Sequence, residues 1–166
     1  MLNADHLRSL LDYDRATGVF VWKMPAGRYG RIPAGTRAGS YTSAEGYGYV
    51  TIAGKSYRLS RLAWLYVHGE WPKDQIDHVN GDPSDDRIAN LREATQFQNK
   101  ANCRRYANNT SGFKGVSLDR SKGLYRAYTN KDGRRVYLGR YRTPEEAHAA
   151  YAAAAMSIHR DFARFT

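Results

Sequence analysis

Asp77 and His78 stand side by side at the end of a short apolar run, within Ile76-Asp77-His78-Val79-Asn80-Gly81-Asp82, just before a tight turn. A carboxylate can hold a metal ion and an imidazole can move a proton, so one strand tip carries both capacities. Asn90 and Asn99 follow, each on a later piece of the same segment. Pro83 to Arg87 reads as a loop, Ile88 to Arg92 as a second strand and Thr95 to Asn99 as the opening of a helix. Thr95 with Gln98 makes a capping box, which puts Asn99 one turn into that helix. Singly, an Asp-His pair is a surface or capping feature and each asparagine a turn or solvated position. The four together, on strand, loop, strand and helix, read as a site. Asp82 and Asp85 are explained by turn formation, and His6, His68, His148 and His159 have no partner set.

Other elements must hold this segment in place. A short amphipathic helix is expected over Asp5 to Leu11, then a Gly/Arg-rich loop from Pro25 to Gly39. Tyr47 to Ile52 and Ser56 to Leu59 flank Ala53-Gly54-Lys55 as a hairpin, and Arg61 to Val67 reads as a helix burying Leu62, Leu65 and Tyr66 and ended by Gly69. Cys103 to Ser111 is polar, basic and rich in turn formers, and is expected to be a linker. Beyond it come three strands, Phe113 to Leu118, Tyr125 to Asn130 and Arg134 to Tyr141, with Lys131-Asp132-Gly133 as the last hairpin turn. A helix follows, with Thr143 as cap, Pro144 first and Glu146 completing a second capping box. Ala147, Tyr151, Ala154 and Ile158 recur on the face that would cover the sheet.

The chain of 166 residues suits one ordinary domain or two small ones, and no apolar run is long enough for a bilayer, so no membrane partner is expected. Its amino terminus lacks a secretory pattern, which makes an intracellular protein the default. The single cysteine, Cys103, excludes an intramolecular disulfide and any multi-cysteine zinc site. The net charge of +10 is unevenly placed: Lys100 to Arg142 holds 12 Lys and Arg against Asp119 and Asp132, and the rest of the chain is neutral. Tyr106, Phe113, Tyr125, Tyr128, Tyr137 and Tyr141 interleave with those cations. Charge to neutralise phosphates, with rings to pack on sugars or bases, suits nucleic acid better than a merely solvated face.

The segment Ile76 to Asp82, then Asp86-Arg87-Ile88-Ala89-Asn90-Leu91-Arg92, then Gln98-Asn99-Lys100-Ala101-Asn102, resembles the HNH endonucleases of phages and mobile introns, in the subset where asparagine replaces the last histidine. Gly115-Val116, Tyr137-Leu138-Gly139, Thr143-Pro144-Glu145-Glu146-Ala147 and Ala149-Ala150-Tyr151 resemble the Apetala2/ethylene-response-factor DNA-binding domain. These resemblances imply an α+β chain: a ββα-metal (His-Me finger) nuclease core with an N-terminal hairpin region, and a small three-stranded antiparallel sheet packed on one helix. The implied domains are a nuclease over residues 1–102 with its core at 74–102, a linker over 103–111 and a DNA-binding domain over 112–166. His78 is carried over as the base, Asn90 as the residue that orients it, and Asp77 with Asn99 as ligands of one divalent metal. Magnesium or manganese fits such an incomplete oxygen set and zinc does not. The implied setting is the cytoplasm of a phage-infected bacterial cell.

Resemblance and strand alternation agree on a DNA face of Lys114, Arg126, Tyr128, Asn130, Arg135 and Tyr137. Lys114 and Arg120 would hold phosphates, and Arg104 and Arg105 would track the backbone from the linker. Five positions depart from the family patterns: Asp86 where asparagine is common, Ser60 where histidine often precedes the Arg-Leu pair, Ser117 for an arginine, and Tyr125 and Tyr137 for larger aromatics. The expectation is a metal-dependent endonuclease that nicks double-stranded DNA, as a monomer on DNA or with a second chain for double-strand breaks. The alternatives are a DNA-binding protein with an inactive core and an RNA-binding module. For residues 1–55 the sequence offers only packing and phosphate contacts from Arg28, Arg31 and Arg37.

Overall fold

A computed structural model describes residues 2–41, 44–106 and 108–165, so residue 107 of the expected linker lies outside the described residues. The chain is mixed α+β and divides into two compact units, Met1–Glu93 and Ala94–Thr166.

The first unit begins with α1 (Ala4–Leu10), whose amino end is capped by Asn3 accepting from the His6 amide. It runs into a hairpin that the sequence reading missed, β1 (Leu11–Tyr13) paired with β2 (Phe20–Trp22). Three-residue strands are too short to show alternation, which hid them. The expected hairpin follows as β3 (Tyr49–Ile52) and β4 (Lys55–Arg58), turning through Ala53 and Gly54, both with positive φ as a two-residue primed turn requires. Then α2 (Leu59–His68) ends at left-handed Gly69. Leu7, Leu11, Phe20, Leu59, Leu62 and Leu65 form the centre of the core, each 1% exposed or less. Rings of Tyr13, Phe20 and Tyr66 pack on one another at 4.6 to 6.1 Å. Residues 1–55 therefore supply half of the core on which α2 rests.

The unit closes with β5 (Gln75–His78) paired to β6 (Leu91–Ala94). The second strand was expected from Ile88, but Ile88–Asn90 forms a 3-10 turn and pairing starts at Leu91. That turn swings the Asn90 side chain back over the loop it follows.

In the second unit, α3 (Gln96–Asn102) carries the expected capping box. A three-stranded antiparallel sheet, β7 (Val116–Asp119), β8 (Leu124–Lys131) and β9 (Arg134–Tyr141), is covered on one face by α4 (Pro144–His159), whose capping box is also present. The expected strand from Phe113 starts three residues late because Gly115 turns the chain at φ +75°, where a Cβ would sit 2.1 Å from the Tyr151 ring. The helix buries Ala147, Tyr151 and Ala155; Ala154, expected in that stripe, is half-buried beside it. Val116 and Ala127 meet Ala147 beneath the sheet. Among the described residues no helix is long and apolar enough to cross a membrane.

Candidate active site and nucleic-acid interface

β5 delivers Asp77 and His78 to its carboxy-terminal tip, where they are 3% and 5% exposed. Burial of two such groups demands partners. The His78 ring is met by Asp86, whose Oδ1 lies 3.2 Å from Nε2. Since a carboxylate only accepts, Nε2 carries the proton and Nδ1 is the nitrogen with the lone pair in neutral His78. Asp86 is itself 2% exposed and is held from two sides: the Tyr41 hydroxyl donates to its Oδ2 at 2.9 Å and the Tyr13 hydroxyl to its main-chain oxygen at 2.7 Å. Burial, with Asp86 alongside, pushes the Tyr41 phenol up to about 12, and burial raises that of Tyr13 further. The Arg37 guanidinium sits over the Tyr41 ring at 5.2 Å. Gly18 lies so close behind that a Cβ there would meet the Arg87 amide at 2.6 Å.

The resemblance implies the orienting role for Asn90 and gives none to Asp86, a departure from the family pattern. In the structure Asn90 holds the loop. Its Oδ1 accepts from the Asn80 amide at 3.0 Å, and its Nδ2 donates to the Asp85 carbonyl at 2.9 Å and to Asn80 Oδ1 at 3.1 Å. Asp82 and Asp85 act within the same loop, as expected. Asp82 accepts from the Ser84 amide and hydroxyl, while Asp85 pairs with Arg87 at 2.7 and 2.6 Å, which holds its carboxyl down to about 2. Asn90 thus shapes the loop that ends in Asp86, and Asp86 contacts the imidazole.

Asp77 Oδ2 accepts from Arg92 Nε at 2.8 Å across the β5–β6 pair. Asn99 sits on α3 in the second unit, one turn in, its amide bonded to the Thr95 carbonyl. Among the described residues no group of three or more His, Cys, Asp or Glu could enclose a metal. Beside His78, the Tyr47 ring lies at 5.9 Å, and Arg58 stacks on Tyr47 at 4.2 Å while donating to the Tyr49 hydroxyl at 2.9 Å. The β3–β4 hairpin therefore places the Arg58 cation in the row behind His78, at a position that no motif or spacing marks.

In the second unit the sheet turns Ala127 and Thr129 to the helix and Arg126, Tyr128, Asn130, Arg135 and Tyr137 to the other face. The Tyr128 and Tyr137 rings meet at 5.5 Å and Arg135 covers Tyr128 at 5.0 Å. Arg104 and Arg105 share with Phe97, Lys114, Tyr128 and Arg135 a cleft of about 550 Å³, and Arg120 is exposed at the end of β7. Lys114 is turned inward. Its ammonium donates at 2.6 Å to the carbonyls of Ala101 and Cys103 at the end of α3, and burial, then Arg164, lowers it to about 8 against an opposing effect of Cys103. It caps a helix terminus whose carbonyls need a donor.

One residue joins the face unannounced. The β8–β9 register slips between Ala127 and Tyr128, leaving Leu138 as an extra residue, so Arg140 pairs with Arg126. Strict alternation from Tyr137 would have sent Arg140 to the helix side. Asp119 lies 3.6 Å from the Nε of both arginines and accepts from the Ser121 hydroxyl at 2.7 Å. The Ser121 bond first, then Arg126 and Arg140, hold its carboxyl below the ordinary range.

Comparison with known proteins agrees with this division of labour. Residues 57–104 match the HNH endonuclease family and residues 111–160 match the AP2 domain. Protein 3.8 of Escherichia phage T7 is 33% identical over 109 residues, covering 59% of this chain and 90% of that protein. No solved structure matches significantly. The HNH match over the segment that bears Asp77, His78, Asn90 and Asn99, followed by the AP2 match over the sheet and its helix, shows that the chain carries an HNH endonuclease domain and a carboxy-terminal AP2 domain.

Proposed function

We propose that this protein is a metal-dependent endonuclease that nicks double-stranded DNA at sites chosen by its AP2 domain. The observation that carries the reading is the buried pair of His78 and Asp86 beside Asp77, within an HNH segment. Hydrolysis of a phosphodiester needs a base for water and positive charge near the phosphate. Asp86 keeps the proton on Nε2, so Nδ1 of His78 takes the proton from water, and the carboxylate stabilises the imidazolium that forms. Asp77 and Asn99 would hold magnesium or manganese, which when bound supplies Lewis acidity at the phosphate and the leaving oxygen. Arg92 holds the Asp77 carboxylate in place, and Asn90 keeps the loop closed behind His78. The sheet face of Arg126, Tyr128, Asn130, Arg135 and Tyr137 binds the duplex, with Arg104, Arg105 and Arg120 on phosphates.

One active site per chain makes a nick the elementary product. The test is conversion of supercoiled plasmid to open-circular and linear forms, with magnesium or manganese against chelator, for the wild type and His78→Ala. Metal-dependent nicking that disappears in the variant, with duplex binding retained, is the expected result. Unchanged cleavage by His78→Ala would remove His78 as the base. Tight binding without cleavage by the wild type would leave a DNA-binding protein, and preference for RNA at one salt concentration would overturn the choice of duplex DNA.

A further inference from the structure

The β3–β4 hairpin sends Val50 and Ile52 into the core, so alternation puts Tyr49 on its other face, together with Arg58, its directly opposite partner. The Arg58 guanidinium lies 4.2 Å from the Tyr47 ring centre and 5.8 Å from that of Tyr49, and its Nε donates to the Tyr49 hydroxyl at 2.9 Å. Two rings and one hydrogen bond thus fix the plane of a long side chain that is exposed to solvent. The rest of the guanidinium is unused: among the described residues neither terminal amino group donates a hydrogen bond and no carboxylate pairs with it. Other arginines of the first unit are engaged. Arg8 and Arg61 donate to main-chain carbonyls, and Arg87 and Arg92 pair with Asp85 and Asp77. A cation held in one orientation with two donors to spare suits an anionic oxygen pair.

The Tyr47 ring also meets His78, their centres 5.9 Å apart, so steps of 4.2 and 5.9 Å put the guanidinium within about 10 Å of the imidazole. Asp86 on Nε2 is buried, whereas Tyr47 is half-buried and Arg58 exposed, so this row leads from the imidazole to solvent. Phosphates of one strand recur about every 3.4 Å along the duplex axis, so a strand with its scissile phosphate at His78 carries further phosphates within that reach. We propose that Arg58 is a phosphate-binding residue of the nuclease unit, gripping a phosphate that flanks the scissile one and holding the cut strand in register with His78. The proposal rests on the nuclease reading above. Because the Tyr47 ring separates it from the imidazole, Arg58 meets a neighbour of the scissile phosphate and not that phosphate itself. Its two terminal amino groups face two phosphate oxygens as a fork, which a lysine ammonium cannot reproduce.

The test uses the full-length protein with magnesium or manganese and a duplex from a plasmid region that the wild type nicks, carrying one uncharged methylphosphonate at a time on either side of the nick. Nicking is measured well below saturation, where the rate reports kcat/KM. Wild type should slow roughly tenfold when one flanking phosphate is neutralised. Arg58→Ala and Arg58→Gln, both exposed changes, should nick the unmodified duplex roughly tenfold more slowly and lose nothing further at that same phosphate, while responding to the other positions as wild type does. Lys55→Ala removes another exposed cation of the hairpin and should keep the wild-type profile. Arg58 variants that nick at the wild-type rate, that are slower yet keep the wild-type profile, or that do not nick at all overturn the assignment. So does a Lys55→Ala protein that loses the response at the same phosphate, which would mean general charge. A wild type that nicks but is indifferent to every flanking methylphosphonate overturns the grip alone, whereas a wild type that nicks no duplex refutes the underlying nuclease reading.

Discussion

Removing the Asp86 carboxylate should separate its two duties, holding the first unit together and supporting His78. In Asp86→Ala the Tyr41 hydroxyl and the His78 Nε2 proton both lose a buried acceptor. Each stranded donor costs about 1–3 kcal/mol, so a loss near 4 kcal/mol is expected, a large share of a small unit's stability. Asp86→Asn differs. The amide oxygen can accept from His78 while the amide nitrogen donates to a rotated Tyr41 hydroxyl, so stability should fall by no more than about 1 kcal/mol. What this variant loses is charge: a charge-assisted bond becomes a neutral one, worth about 1–1.5 kcal/mol to the imidazolium formed during proton transfer. That corresponds to cleavage roughly five- to tenfold slower. Urea unfolding followed by tryptophan fluorescence measures the first effect cleanly, because Trp22, Trp64 and Trp71 all lie in the first unit. Single-turnover nicking at saturating metal measures the second. An Asp86→Ala protein as stable as wild type, or an Asp86→Asn protein cleaving within twofold of it, would refute the network as the support of His78.

Gly115→Ala should destabilise the second unit by more than about 2 kcal/mol through strain at positive φ and collision with Tyr151, reducing duplex binding while leaving the tryptophan transition of the first unit unmoved. Stability against pH should fall at both ends. The depressed Asp85 pKa contributes stability that is complete above about pH 4 and lost as pH falls to about 2. The raised Tyr41 pKa contributes stability complete below about pH 10 and lost as pH rises through about 12. Asp85→Asn should flatten the acid limb and Tyr41→Phe the alkaline limb, and limbs unchanged in these variants would contradict the assignments. Arg104→Ala and Arg105→Ala should each lower the salt slope of log affinity by about one without altering sequence preference, since phosphate contacts carry charge and no base information. A slope that stays the same would place both arginines off the DNA.

Much of this protein is decided by short-range chemistry and is therefore legible in the chain. The capping boxes at Thr95 and Thr143, the primed turns at Ala53-Gly54 and Asp132-Gly133, and the alternation that sets Arg126, Tyr128 and Asn130 on one face of β8 each depend on residues within a few positions of one another. The spacing of Asp77, His78, Asn90 and Asn99 is likewise local, and so is the excess of cations and rings after Lys100. Tertiary structure alone decided what those residues lean on. Tyr13 and Tyr41 reach Asp86 across 73 and 45 residues, a pairing that no periodicity encodes. Asp86 became the partner of His78, and Asn90 the closure of the loop, because burial at the strand tip requires each polar group to find an acceptor or donor wherever the fold brings one. Lys114 went to the carbonyls at the end of α3 for the same reason. A one-residue bulge at Leu138 moved Arg140 to the basic face, and a strand pattern of period two cannot foretell where its own register will slip.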